Sequence, residues 1–303
     1  MALAPRTLDT AATTDRHASL LRRRVGLDSV LGMAILFAAT IYFLTPLYWL
    51  VISATKSRDD LVSTFGFWFS GRWNLWSNLH DLVTLNNGIY VRWLLNTVLY
   101  AGVSAVFGTI LSTMAGYALA KYTFRGRNLI FSIVLGAILV PATALALPLY
   151  LLMSAWGLTN TYWAVLLPSI VSPFGVYLSR IYAAASVPDD LLDAARVDGS
   201  GEFRTFTTVA VRIMGPALVT IFLFQFVAVW TNYFLPLVML SDPSLFPITL
   251  GLQTWFTTSG SNQQILYNLV VTGSLVSVIP LIVGFLFLQR YWRAGLTAGG
   301  VRG

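Results

Sequence analysis

Residues 128–179 read NLIFSIVLGAILVPATALALPLYLLMSAWGLTNTYWAVLLPSIVSPFGVYLS, and none of these 52 residues is Asp, Glu, Lys or Arg. A helix crossing a hydrocarbon layer about 30 Å thick needs roughly 20 apolar residues. The stretch is therefore long enough for two crossings, joined at the polar turn Gly157-Leu158-Thr159-Asn160-Thr161. Similar charge-free gaps separate Asp28 from Lys56, Arg92 from Lys121, Arg212 from Asp242 and Asp242 from Arg290. Together they predict six transmembrane helices, at roughly 30–52, 93–118, 129–154, 161–183, 213–240 and 266–289. The fold class expected is an all-α polytopic membrane protein.

The rest of the composition agrees with a life in lipid. Only 10% of the 303 residues are charged and 56% are hydrophobic, with a mean hydropathy of +0.72. A soluble fold of that composition would have too little polar surface. The absence of cysteine excludes disulfides, thiolate metal sites and cysteine nucleophiles, and His17 and His80 alone cannot build a histidine-rich metal centre. No metal site is expected.

Of the 19 Lys and Arg residues, 15 fall on the side of the spans that carries both termini, and 4 fall on the other. The positive-inside rule then predicts cytoplasmic N and C termini. The net charge of +7 is accounted for by membrane insertion and lipid contact, without nucleic acid as a partner. Residues 1–28 read as a polar cytoplasmic tail rather than a cleavable signal peptide, because the apolar stretch that follows is of span length. Trp68, Trp73, Trp76, Tyr90 and Trp93 mark the external segment 53–92 as interfacial.

Pro46, Pro141, Pro148, Pro168, Pro173, Pro236 and Pro280 fall in or near the spans and predict kinks or breaks. Gly102, Ser104, Gly108, Ser112 and Gly116 give the second span a small-residue face suited to close helix approach. No span interior carries a carboxylate or histidine for a coupling ion. A pathway of this kind fits a neutral polar solute. Its energy must come from outside the chain, because Lys56 and Lys121 follow Thr55 and Ala120, not the glycine a phosphate-binding loop needs.

The segment 184–212 is the most informative. Ser186 and Asp189 suggest a capped helix start, Pro188 suits a first turn, and Gly199 supplies a left-handed stop. A second short helix is expected from Ser200, with Phe203, Phe206 and Val209 on one face. Asp189-Asp190-Leu191-Leu192-Asp193 also has the Asp-Asp-x-x-Asp form by which membrane prenyltransferases hold Mg²⁺, but no second acidic cluster accompanies it. That enzyme and a non-catalytic membrane assembly factor are the readings outside transport.

Asp193-Ala194-Ala195, then Gly199, then Val209-Ala210-Val211 resembles the EAA loop of permease subunits in binding-protein-dependent ABC importers. Asp193 stands for the usual Glu and Arg212 for the closing proline, while Pro216 keeps a second proline common in carbohydrate members. Tyr117 to Arg127 and Trp230 to Leu237 are similar to the second and fifth spans of carbohydrate permeases, and Gly295 to Gly303 to the tail of MalG-like subunits. The resemblance implies a MalG-like type I importer permease fold. It places a six-helix domain at 29–292, with the coupling loop at 184–212, between tails at 1–28 and 293–303.

The family further implies a permease subunit that imports a sugar by alternating access across a prokaryotic plasma membrane, and no catalysis in the chain itself. Another polar solute, a polyol or a glycerol phosphodiester, is the alternative. Implied partners are a second, MalF-like permease, two ATPase subunits that use the ATP and Mg, and an extracytoplasmic solute-binding protein; this chain holds no cofactor. Asp193, Ala194, Ala195, Arg196 and Gly199 would couple to an ATPase subunit. Gly295, Leu296, Thr297, Ala298, Gly299 and Gly300 would lie between the two ATPases. Trp230, Asn232 and Tyr233 are candidates for the pathway, and Gln253, Trp255 and Asn262 for the loop that meets the binding protein.

Overall fold

The computed structural model describes residues 27–259 and 264–299, with side-chain detail over 30–259 and 266–289. The chain divides into two units, residues 1–51 and 52–303. The first contributes most of helix α1, Leu27–Ala54, with Pro46 inside it. The apolar side chains of α1 from Val30 to Val51 are largely exposed, and Thr40 and Thr45 return their hydroxyls to the carbonyls of Leu36 and Ile41 at 2.7 Å. Bonding these hydroxyls within the helix suits a surface on which lipid offers no partner.

The second unit is built around α4, Ile89–Lys121, a 33-residue helix. Between Tyr90 and Leu119, themselves buried, its buried positions are Trp93, Asn96, Thr97, Tyr100, Ala101, Ser104, Ala105, Gly108, Thr109, Ser112, Thr113, Gly116 and Tyr117, a stripe at helical spacing made chiefly of small and polar residues. Leu95, Phe107, Ile110 and Leu111 face outward. Lipid tails solvate large apolar side chains as well as a protein core does, so helices in a membrane pack through residues that let backbones approach. A Cβ on Gly116 would lie 2.5 Å from that of Ser179, and one on Gly108 would lie 2.9 Å from the Ile170 carbonyl. Gly102 has nothing within 4 Å and takes no part in this packing.

Around α4 lie short helices α2 (Arg58–Ser63) and α3 (Leu75–Thr84), then α5 (Arg127–Leu139), α6 (Ala146–Ala155), α7 (Tyr162–Ile170) and α8 (Pro173–Ser186). They are followed by α9 (Asp189–Val197), α10 (residues 202–213), α11 (Gly215–Trp230), α12 (Phe234–Met239), α13 (Ile248–Ser259) and α14 (Gln264–Gly299). α4 packs on α7, α8, α11 and α13, while α14 packs on α11 and α13.

Among the described residues, four helical stretches are long and apolar enough to cross a membrane, Val30–Ala54, Ile89–Lys121, Tyr162–Ser186 and Leu266–Gln289. A fifth is α10 with α11, bent by 81°. The expected span 129–154 is two helices, α5 and α6, and 213–240 is interrupted at 231–233. Proline explains the first break. Its ring forces the preceding residue out of the helical region, and Val140 before Pro141, Ser172 before Pro173 and Val187 before Pro188 are all extended or non-helical. The expected turn at 157–161 forms, with positive φ at Gly157 and Asn160.

The external segment is half as expected. Trp68, Trp73 and Trp76 are exposed, but Tyr90 and Trp93 are buried with Trp255, whose ring centroid is 6.4 Å from that of Tyr90 and 4.7 Å from that of Trp93. α14 runs to Gly299, so the expected tail from residue 293 begins inside a helix.

Candidate functional site

At the end of the bundle where α4 finishes, α9 and α10 form a compact outlier on a small apolar cluster of Tyr117, Ala183, Val187, Leu192, Ala210 and Met214. α9 begins at Pro188, not at a Ser186 cap, because Ser186 is still the last residue of α8. Asp189 and Asp190 sit in its first turn and Arg196 in its last, as the helix dipole favours. The C-terminus is closed by two bonds, Ser200 N–H to the Ala195 carbonyl at 2.9 Å and Gly199 N–H to the Arg196 carbonyl at 3.0 Å. This is a Schellman closure, and it requires the φ of +76° that Gly199 adopts.

Leu192 faces inward and is 2% exposed, while Leu191, Ala194 and Val197 are exposed at helical spacing on the opposite side. Asp190 and Asp198 flank that stripe and are also exposed. Ala195 is half-buried. The outward face is thus apolar in the middle, free of bulk at Ala194 and acidic at its edges.

Asp193 is not a free carboxylate. Arg196 donates to it at 2.8 Å and to both oxygens of Glu202 at 2.8 and 3.3 Å. Glu202 also accepts from the Tyr122 hydroxyl at 2.7 Å. Arg196 first and Tyr122 second hold the Glu202 carboxyl below its ordinary range. Glu202 and then Asp193 hold the Arg196 guanidinium further toward its charged form, and burial leads the upward shift of the Tyr122 phenol. At the other end of α9, Lys121 donates to the Val187 carbonyl at 2.5 Å and to Asp189 at 2.8 Å. Asp189 and Asp193 therefore face different cations, and among the described residues no three metal-ligating side chains gather.

α10 corrects a second expectation. It contains a five-residue π turn, Phe206–Ala210, which inserts an extra residue and rotates the faces on either side. Phe206 packs on Tyr117 at 5.0 Å and Val209 joins the same cluster, but Phe203 is 71% exposed.

The pathway candidates lie where α11 gives way to α12. Trp230 is 2% exposed and lies 5.4 Å from the Phe226 ring. Asn232 accepts from the Leu235 N–H at 3.2 Å, opening α12, and its carbonyl accepts from Thr249 at 2.8 Å. Tyr233 packs against the core at the far end of α4. Of the candidates for an external loop, Trp255 is buried in helix α13, Gln253 is exposed on that helix, and Asn262 lies outside the described residues. Gly295 to Gly299 fall in α14, and Gly300 lies outside the described residues.

Composition and spacing did not single out the polar staples of residues 241–248. Asn160 Oδ1 accepts from the N–H groups of Ser241 and Asp242 at 2.9 and 2.8 Å. Asn96 donates to the carbonyls of Ser244 and Phe246 at 2.9 and 3.0 Å, Trp93 to Pro243 at 2.8 Å, and Tyr100 to Leu245 at 2.9 Å. The only signal in the sequence was a run of amide and aromatic residues at helical spacing early in the second span.

Residues 108–296, more than half of the chain, match the model of the binding-protein-dependent transport system inner membrane component. The chain belongs to that family. The match runs from the middle of α4 through α9 and α10 into α14, so it contains both the inner cluster and the coupling-like segment. The family member is 41% identical over 216 residues to the arabinooligosaccharides transport system permease protein AraQ of Halalkalibacterium halodurans, covering 71% of this chain and 76% of that protein. It is 34% identical over 265 residues to the Bacillus subtilis protein of the same name, covering 87% and 92%. A crystal structure of a bacterial ABC transporter involved in alginate import shares the fold, with a TM-score of 0.78 at 21% identity over 89% of this chain and 98% of that one. With several long apolar helices and this family, the protein is a multi-pass membrane permease.

Proposed function

We propose that this permease is one transmembrane half of an ATP-driven importer for a neutral sugar or oligosaccharide. The observation that carries the reading is the family match combined with the form of α9, a short helix closed at Gly199 that presents Leu191, Ala194 and Val197 outward between Asp190 and Asp198. An outward apolar stripe with acidic edges suits a cleft lined by apolar and basic side chains on another subunit. In this proposal that subunit is an ATPase, one of two, and Asp193, Ala194, Ala195, Arg196 and Gly199 make the joint. The tail from Gly295 to Gly300 lies between the ATPases, a second permease completes the cavity, and an external binding protein delivers the solute. The ATPases use ATP and Mg.

The charge distribution supports a cytoplasmic side for α9 and both termini, with 15 of the 19 cations there. No Asp or Glu occurs in the four span-length stretches, which suits a solute without charge to neutralise. The relatives are named for arabinooligosaccharides, for melibiose, raffinose and stachyose, for lactose and for maltodextrin. A permease of Synechocystis named for osmoprotective compounds, 31% identical over 282 residues, favours a small polyol-like solute as the second reading.

The test is uptake into vesicles holding the full complex and its binding protein, with arabinotriose, raffinose, lactose, maltotriose and glycerol as the panel. ATP-dependent uptake of a sugar is expected. Glycerol alone would favour the second reading, and uptake unchanged by Gly199→Pro would refute the coupling role of α9.

A further inference from the structure

A lysine just past a membrane helix ordinarily extends its ammonium toward lipid headgroups. Lys121 does the opposite. Its side chain is 6% exposed, and its ammonium is turned onto the Val187 carbonyl and Asp189 at the start of α9. The next residue, Tyr122, reaches the other end of the same unit, donating to Glu202, which Arg196 ties back to the last turn of α9. Between these attachments Leu192 is buried against the cluster that contains Tyr117. The start, middle and end of α9 are therefore all fastened to the last turn of α4 and to Tyr122, the residue that follows it directly.

Without those fastenings α9 would hang between two weak points, the extended Val187 before Pro188 and the left-handed Gly199. With them, α9 can shift only by carrying the end of α4. Beyond the joint, α4 has no slack against its neighbours. Gly116 lies against Ser179 and Arg180, Gly175 against Ser112, and Gly108 against Ile170 and Gln225. Close-packed surfaces of this kind transmit displacement because no void is available to absorb it.

We infer that Lys121 and Tyr122, outside the EAA-like segment, are positioning residues for energy coupling: they make α9 and α4 one rigid body, so that a displacement of α9 drives α4 and, through it, α8 and α11. The inference rests on the proposed docking of α9 on an ATPase. Neither residue touches solute or nucleotide on this assignment.

The experiment uses the full complex in proteoliposomes with its binding protein, and reads solute imported per ATP hydrolysed for whichever panel sugar the parent takes up. Lys121→Met and Tyr122→Phe, each removing one fastening with little change of shape, should lower that ratio by about fivefold or more, the order expected for losing a hydrogen bond at the joint. Lys121→Arg should restore it. A parental ratio in both variants would overturn the inference, and so would a proportional fall of uptake and hydrolysis. A parent with no ATP-driven uptake of any panel solute would instead refute the underlying functional reading.

A second measurement needs no solute. The chain contains no cysteine, so spin labels can be placed by Phe203→Cys on α10, which the Glu202–Arg196 pair ties to α9 outside the proposed docking stripe, and by Met114→Cys on the exposed face of α4. The distance between them should be the same in the nucleotide-free and ATP-trapped complexes, and should broaden when Tyr122→Phe is added. A distance that shifts between the two states in the parent would show α9 moving independently of α4 and overturn the inference.

Discussion

The side-chain amide of Gln225 on α11 donates to the backbone carbonyl of Ser169, the group that loses its helical donor because the residue four positions on is Pro173. Both partners are buried, at 9% and 8% exposure. In a bilayer a freed carbonyl has no water to turn to, so the break between α7 and α8 is tolerable only because a neighbouring helix supplies the donor. Ser112 of α4 bonds the Ser172 carbonyl at 3.3 Å, and Ser172 caps α8 by accepting from the Gly175 N–H at 3.2 Å. The kink is thus a junction of three helices.

Gln225→Leu should destabilise the purified complex by about 1–3 kcal/mol, the cost of leaving a buried acceptor unpaired. Pro173→Ala restores an N–H to the helix at that carbonyl, so in a double-mutant cycle of thermal unfolding the combined variant should lose less than the two single losses summed. Strict additivity would mean that Gln225 does not serve the proline break.

The small residues of α4 are not equivalent. Gly116→Ala puts a Cβ 2.5 Å from that of Ser179, and Gly251→Ala on α13 puts one 2.2 Å from the Trp93 ring. Each should cost about 1–3 kcal/mol through overpacking. Gly136→Ala on α5 meets nothing within 4 Å and should be neutral or stabilising by about 0.5–1 kcal/mol. Melting temperatures in detergent check the ranking, which fails if Gly116→Ala and Gly136→Ala behave alike.

Asn96 makes two donor bonds to the 244–246 backbone and accepts from Tyr162 at 3.1 Å. Asn96→Leu should remove those bonds and loosen residues 241–248 while α9 stays seated. Hydrogen exchange is the measurement: protection should fall in residues 241–248 and stay unchanged in 189–200. Loss of protection in both regions would mean general unfolding instead.

The pH dependence of the α9 joint follows from Glu202. Its carboxyl lies below the ordinary 4.5, with Arg196 the leading cause. A lowered native value means the unfolded chain takes up the proton first as pH falls, so the contribution is complete above about 4.5 and is lost as pH drops through the native value. The melting difference between the parent and Glu202→Gln should therefore be flat from about pH 8 to pH 5.5 and shrink below pH 4.5. A difference that changes between pH 8 and pH 6 would point to another group.

Much of the architecture was legible in the chain because its signals are local. An uncharged run must be buried in lipid or protein whatever surrounds it, a proline forces the residue before it out of the helix, and Gly199 supplies the left-handed closure of α9. The EAA-like spacing belonged to the same class of signal, and the family match bears it out as a family resemblance.

Tertiary structure decided everything that depends on which surfaces meet. Trp255 lay in a polar stretch and reads as external, yet Tyr90 and Trp93 enclose it. Asp193 stands where the resemblance puts a coupling acid, and the structure pairs it with Arg196, which Glu202 also holds. Phe203 stands one helical turn before Phe206, yet only Phe206 and Val209 reach the cluster around Tyr117. Lys121 entered the sequence reading only as one of the cations on the side of both termini, and only the seating of α9 beside the end of α4 turns it inward. Charge gaps and proline positions act within a few residues of backbone, so sequence alone located the apolar stretches and the breaks at Pro141 and Pro173, while the interruption at 231–233 and the 81° bend between α10 and α11 came only with the structure. The pairing of Lys121, Tyr122, Arg196 and Gln225 joins positions up to 80 residues apart, and such pairs exist only once small residues have let α4, α8 and α11 close on one another.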